Sequence, residues 1–231
     1  DEYALRWTPW EDGRLSLQAG AFATVVGNYV ERHDSWDNPF ITAPVIYENM
    51  TGIYDEEAPP NKYDFLEGPT DEKYEYNPVI WGPSYATGVS LSGKLGQVDY
   101  AAELKNAGLS SRPESWQASD RGFQYPTVSA RLAWHPDMAW TLGFSASEGA
   151  YLTEDARFGL PSGTGLGDYK QKVLGQDISY AWSHWQIWAE VYEARFEVPT
   201  VVARSLQVAE GVELFLFHVA QLLPQREHLR R

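Results

Sequence analysis

The chain has 231 residues, no cysteine and a formal net charge of -14. These facts exclude disulfides, thiol catalysis and Cys-ligated metal, and a charge of that sign argues against nucleic-acid binding. Mean hydropathy is -0.43, and no apolar run approaches the ~18 residues of a membrane-spanning helix. Strands that show apolar residues only at every second position would keep mean hydropathy this low even in a membrane protein. Aromatic residues make up 14%, with 10 Trp and 14 Tyr. Such rings concentrate where apolar surroundings meet water. The chain opens at Asp1 with neither a charged n-region nor an apolar h-region, and so reads as a mature or trimmed product.

Taken in chain order, period-two alternation predicts eight strands, at 14–26, 87–95, 98–106, 126–135, 139–147, 171–182, 185–197 and 206–222. In the first, Leu15, Leu17, Ala19, Ala21, Ala23 and Val25 share a face. In the second, Val89, Leu91 and Leu95 alternate with Ser90, Ser92 and Lys94. A turn at Gly96–Gln97 leads to the third, where Val98, Tyr100, Ala102 and Leu104 alternate with Asp99, Ala101, Glu103 and Lys105. The fourth sets Val128, Ala130, Leu132 and Trp134 against Thr127, Ser129 and Arg131. In the fifth, Trp140, Leu142, Phe144 and Ala146 alternate with Thr141, Gly143 and Ser145. The sixth and seventh meet at Ser183–His184, with Trp182, Trp185 and Trp188 nearby. The last, Val212 to Leu223, is nearly all apolar and alternates poorly.

Connections at 96–97, 136–138 and 183–184 are short; those at 27–86, 107–125, 148–170 and 198–205 are longer. Strands of ~9–11 residues joined by alternating short and long connections suit an antiparallel transmembrane β-barrel. The expected fold is therefore all-β: one barrel domain over 1–231 with about eight visible strands, both termini on the side of the short turns. The rival is a soluble aromatic β-sandwich, in which Greek-key links give no reason for that alternation.

The first long loop, 28–86, holds twelve acidic residues, three basic ones, seven prolines and eleven aromatics. Disordered acidic segments are poor in aromatics, so this one is expected to be ordered, either folded into the lumen as a constriction or capping the outer mouth. A solvated acidic loop is the bland alternative. The run Arg32-His-Asp-Ser-Trp-Asp-Asn-Pro-Phe40, the strand entry Gly82-Pro-Ser-Tyr-Ala-Thr-Gly88, Ala21-Phe-Ala-Thr-Val-Val-Gly27 and Gly175-Gln-Asp-Ile-Ser-Tyr180 followed by Trp185-Gln-Ile-Trp-Ala-Glu190 resemble a poorly characterised group of Gram-negative outer-membrane porin-like proteins. Some similarity extends to phosphate-selective-type porins. The resemblance covers roughly residues 14–200 and implies a cell outer membrane location. Its relatives are commonly longer, which implies an N-terminal portion of a larger barrel. The segment 205–231 departs from the pattern, since it does not close on an amphipathic strand with a terminal aromatic.

Catalysis finds little support. His33, Asp34 and Ser35 are adjacent, but neighbours in an extended segment point apart, and there is no Gly-x-Ser-x-Gly elbow. Asp55-Glu56-Glu57 and Asp34/Asp37/Asn38 offer oxygen ligands suited to calcium, yet neither matches an EF-hand loop. No catalytic residue, metal or cofactor is assigned. The expected function is a porin-like channel for passive diffusion of small solutes or ions, cation-preferring because the long loop is acidic. Alternatives are a closed, non-conducting barrel with adhesive loops and a soluble secreted glycan-binding domain. Asp34, Asp37, Asp55, Glu56, Glu57, Lys94, Glu103 and Arg131 are the pore or constriction candidates. Asp99, Lys105, Glu190 and Arg195 are further inward candidates. Leu91, Tyr100, Leu132, Trp140, Leu142 and Phe144 are expected to face lipid. Expected partners are outer-membrane lipid and small solutes or ions.

Overall fold

Alternating side chains give a strand two unlike faces, and nine such strands here hydrogen-bond in chain order. The structure is a computed structural model that describes residues 2–30, 43–58, 76–199 and the backbone of 211–224. Its strands are β1 (Tyr3–Trp7), β2 (Ser16–Ala21), β3 (Thr87–Leu95), β4 (Val98–Lys105), β5 (Thr127–Trp134), β6 (Trp140–Ala150), β7 (Lys170–Trp182), β8 (Trp185–Glu197) and β9 (Gly211–Pro224). They form one antiparallel sheet in which every strand pairs with its chain neighbour. No pairing joins β1 to β9 among the described residues. No described helix is long and apolar enough to cross a membrane.

The eight expected strands are all present, with two corrections. β1 was not expected. Tyr3, Leu5 and Trp7 alternate with Ala4 and Arg6, but over five residues only, and they pair with Ala21, Ala19 and Leu17 of β2. With β1 in place the chain enters the sheet at the end of the long connections, so the two ends of the sheet's chain path do not share the short-turn side. β2 is also shorter than expected. After Ala21 the backbone leaves the sheet, and the amide of Thr24 donates to the carbonyl of Pro83 instead.

The poor alternation of β9 begins with apolar residues in both phases, Leu214 and Leu216 opposite Ala194 and Tyr192 as well as Phe215 and Phe217 opposite Glu193 and Val191, and a register shift adds to it. Leu222 and Pro224 lie opposite Ile187 and Trp185. The register shift at Trp188/Glu190 separates them from Phe215 and Phe217. An extra residue there moves odd and even positions onto the same face, which a period-two template reads as noise.

One face of the sheet is exposed and apolar. Register places Leu91, Tyr100, Leu132, Trp140, Leu142 and Phe144 all on it, joined by Leu5, Leu17, Val89, Leu174 and Ile178, each more than a third exposed. Toward the short turns the face carries Trp7, Trp134, Trp182 and Trp185, and Trp140 stacks on Tyr180 at 4.2 Å. Toward the long connections it ends in a charged row, Glu148 opposite Lys172 and Lys172 opposite Arg195.

The other face is covered. Val173, Tyr192, Ala194 and Phe196 of the sheet pack there against Val26, Ile46, Tyr47, Ile53, Val79 and Ile80 of the first long connection and Tyr151 and Leu166 of the third. The core therefore lies on the polar side of the sheet, under the long connections. Burying this apolar surface contributes about 25 cal/mol per Å².

Gly27 shows how tightly that cover fits. Its φ is +83°, and a Cβ there would run into the hydroxyls of Tyr47 and Tyr192. Gly163 also has positive φ (+91°) but has open space around it. Gly27→Ala is expected to lower stability by about 2 kcal/mol or more, through backbone strain together with overlap, while Gly163→Ala incurs the smaller strain alone. Urea unfolding followed by tryptophan fluorescence measures both; equal midpoint shifts would contradict the packing at Gly27.

Candidate functional site: the polar face and the segment laid across it

Every second residue of β4 to β8 points to the covered side, and in this chain most of those positions are polar. They include Glu103 and Lys105 of β4, Thr127, Ser129 and Arg131 of β5, Ser145 and Ser147 of β6, Gln171 and Asp177 of β7 and Glu190 of β8. All but Arg131 are buried. Buried polar groups need partners, and here the partner is largely the backbone of the connections.

Residues 22–28 run across the sheet from β4 to β8. Thr24 donates its hydroxyl to Glu103 at 2.6 Å, and the Val25 amide donates to the same carboxylate at 3.2 Å. The Gly27 amide donates to Ser145 Oγ at 3.1 Å. The Asn28 amide reaches Glu190 at 2.7 Å. Lys105 Nζ donates to the carbonyls of Phe22 at 2.6 Å and Ser84 at 2.8 Å and lies 3.6 Å from Glu103. Gln171 donates to the carbonyl of Val79 at 2.6 Å and accepts from the Ser110 amide at 3.2 Å. The side chains of the wall thus read the backbone of two long connections at both ends of the first.

Glu190 carries the densest cluster. Besides Asn28, the hydroxyls of Tyr47 and Tyr192 donate to its Oε2 at 3.3 and 3.2 Å, and the two phenols lie 3.1 Å apart. Burial pushes the Tyr47 phenol well above its ordinary range, so it stays a neutral donor. Beside this cluster Arg131 Nη2 meets Asp177 Oδ1 at 2.7 Å. Asp177 is buried, so removing Arg131 strands its charge, at a cost of about 3–5 kcal/mol.

The constriction candidates separate into groups. Asp34 and Asp37 lie outside the described residues. Glu103 and Arg131 are on the covered face. Lys94 is on the same face by register, near the short turn, 3.7 Å from Asp99. Asp55 is fully buried and 3.2 Å from Arg112 Nε. Glu56 is exposed and takes the other side of the same guanidinium, at 3.0 Å. Glu57 is exposed. Asp99, Lys105 and Glu190 are inward as expected, but Arg195 is not: it pairs with Lys172 and shares the exposed face with Val191.

Sequence reasoning missed Asp177, Gln171, Tyr192 and Tyr47. The first three had a signal, since they alternate out of phase with Leu174, Ile178 and Val191. Tyr47 had none. Near the short turns His135 links two hairpins: Nε2 lies 2.9 Å from Asp99 and Nδ1 3.1 Å from the Thr141 hydroxyl, while its amide donates to the Gln97 carbonyl at 2.8 Å. Among the described residues no group of three or more His, Asp or Glu side chains converges as metal ligands would.

Burial raises the Asp55 carboxyl above its ordinary 3.8, with Asn77 and Arg112 opposing the shift. A raised value means that the folded state binds the proton more tightly than the unfolded one. Charged Asp55 therefore opposes folding at neutral pH. That opposition fades as pH falls through the raised value and is gone below the ordinary one. Relative to Asp55→Asn, the wild-type protein should gain stability between pH 7 and pH 4, as read from urea midpoints. A relative loss on acidification would mean that the Arg112 pair outweighs burial.

Comparison with protein-family models, curated proteins and solved structures finds no match.

Proposed function

We propose that this chain forms part or all of an outer-membrane β-barrel wall and acts as a porin-like channel for passive diffusion of small solutes or ions. The observation that carries this reading is the exposed face. An apolar band lies between a tryptophan-rich edge and a charged row, on a sheet whose reverse is polar. Contiguous exposed apolar surface marks a membrane or protein contact. The band also has a suitable height. From Trp182 to Lys172 of β7 is ten steps of about 3.3 Å; tilted by ~40°, that spans about 25 Å, the height of a lipid-facing barrel belt.

In this reading the short turns lie on the periplasmic side and the long connections on the outer side. The first long connection is an inward constriction, because its described parts lie on the polar face. Its surplus of acidic residues favours cations. A closed, non-conducting barrel is the second reading. It is favoured by the apolar core that fills the covered face beneath the long connections.

Two measurements test the proposal. Phe144 sits midway along the band, opposite Leu132 and Gln176, so Phe144→Arg should destabilise the protein in lipid by ~2–4 kcal/mol. Thr141→Arg, on the polar face, should cost less. Equal costs would defeat the orientation. In planar bilayers the protein should conduct with a preference for cations, reduced in the Glu56→Gln, Glu57→Gln double variant. Anion preference in the unaltered protein would defeat the charge argument, and absence of conductance would favour the closed barrel.

A further inference from the structure

Resting on the membrane reading above, we infer that the charged row on the exposed face is a binding site for the phosphate-bearing headgroup of a membrane lipid. A groove of about 690 Å³ opens on this face where β5 to β8 approach the long connections. Its lower part is apolar, with Val128, Ala130, Ala146 and Leu174; its upper rim carries Lys170, Lys172 and Arg195 together with Glu148 and Glu193. Val128 is 56% and Leu174 47% exposed. An apolar floor below a rim that offers lysine and arginine donors matches an acyl chain below a phosphate.

The rim is arranged for an anion in a particular way. Lys172 and Arg195 are direct cross-strand partners. Like charges placed opposite each other on neighbouring strands repel, so the pair is unfavourable by itself. Carboxylates hold the cations apart: Glu197 takes Lys172 at 3.0 Å, Glu193 takes Arg195 at 2.7 Å and Glu148 takes Lys170 at 2.6 Å. These pairs are largely solvent-exposed and contribute little each. Lys172 and Lys170 each use one donor toward these carboxylates and have others to offer. A phosphate seated between Lys172 and Arg195 would receive charge-assisted hydrogen bonds from both and relieve their repulsion. Its position fits a lipid rather than a free ion, because the rim stands where the apolar band ends.

The probe is phosphatidylglycerol added to the full chain in a neutral detergent, with retained lipid counted by native mass spectrometry. The Lys172→Gln, Arg195→Gln double variant should bind at least fivefold more weakly. Arg157→Gln, which removes an exposed cation paired with Glu154 in a connection, should leave binding unchanged. Glycerol phosphate should not compete, since it lacks the chain that covers Val128 and Leu174. Equal weakening by Arg157→Gln would show diffuse charge attraction and overturn the site. Competition by glycerol phosphate would make it a free-phosphate site and overturn the lipid assignment. A protein that inserts into membranes but retains no lipid would overturn the site while leaving the barrel standing. A protein that remains a stable monomer without detergent would overturn both. If the double variant binds less only because it is misfolded, its unfolding midpoint will fall as well; an unchanged midpoint keeps the comparison valid.

Discussion

A polar sheet face that is sealed from water needs hydrogen-bond partners for the groups it carries, and the rest of this structure follows from how they are supplied. The first two connections leaving the long end of the sheet bring amides and carbonyls that no strand satisfies. Glu103 and Glu190 accept from the amides of Val25 and Asn28, Lys105 donates to Phe22 and Ser84, and Gln171 does both, toward Val79 and Ser110. The two sets of orphans satisfy one another for the most part; the Thr127 hydroxyl, Arg131 Nε and Asp177 Oδ2 have no hydrogen-bond partner among the described residues. An unsatisfied group on either side would cost about 1–3 kcal/mol, so the path of the connection and the polarity of the wall are a single constraint.

This arrangement reverses the usual distribution of a half-buried sheet. Ordinarily the apolar face packs on the core and the polar face meets water. Here the polar face meets the connections, and the apolar face has no protein partner among the described residues. The core forms all the same, because the connections supply their own apolar side chains, such as Ile46, Tyr47, Ile53, Val79 and Ile80, and among the described residues the wall contributes Val173, Tyr192, Ala194 and Phe196 to it. The exposed band of Leu, Val, Phe and Trp is then surplus to the fold. A contiguous exposed surface of that kind marks a contact with a membrane, a protein or a ligand, or a liability to aggregation.

Much of the wall was legible in the sequence, because period two survives wherever the two faces differ. It holds for β7, where residues from Gln171 to Ile178 alternate strictly between buried and exposed. It failed where that condition failed. β1 is too short for a pattern to accumulate, and in β9 both phases are apolar and a register shift swaps them midway. The connections were less legible. The acidic and aromatic content of 28–86 pointed to order, and the described parts are ordered on the inward side. Which residue meets which side chain of the wall was hidden, because Val25, Gly27 and Asn28 bind through backbone amides that composition does not reveal. Arg195 misled for a different reason: a charge on a strand suggests the polar face, but near the end of the apolar band the exposed face becomes polar too.

Acidic content also needs to be divided by location before it can be read as a field. Three of the buried carboxylates face a basic side chain: Asp55 meets Arg112, Glu103 meets Lys105 and Asp177 meets Arg131. Glu190 is met by an amide and two phenols. Low dielectric makes this necessary, since an isolated buried charge is too costly to retain. The three ion pairs sum to zero, so the surplus behind the net charge of -14 is not in them. It lies with Glu190 and with carboxylates outside these pairs, among them Glu57 and, through its sharing of Arg112, Glu56. Only carboxylates in contact with water can attract a passing cation, and salt screens that attraction over ~8–10 Å. Asp55, which the sequence groups with Glu56 and Glu57, is therefore a fastening of the connection, and any attraction of ions falls to its two exposed neighbours.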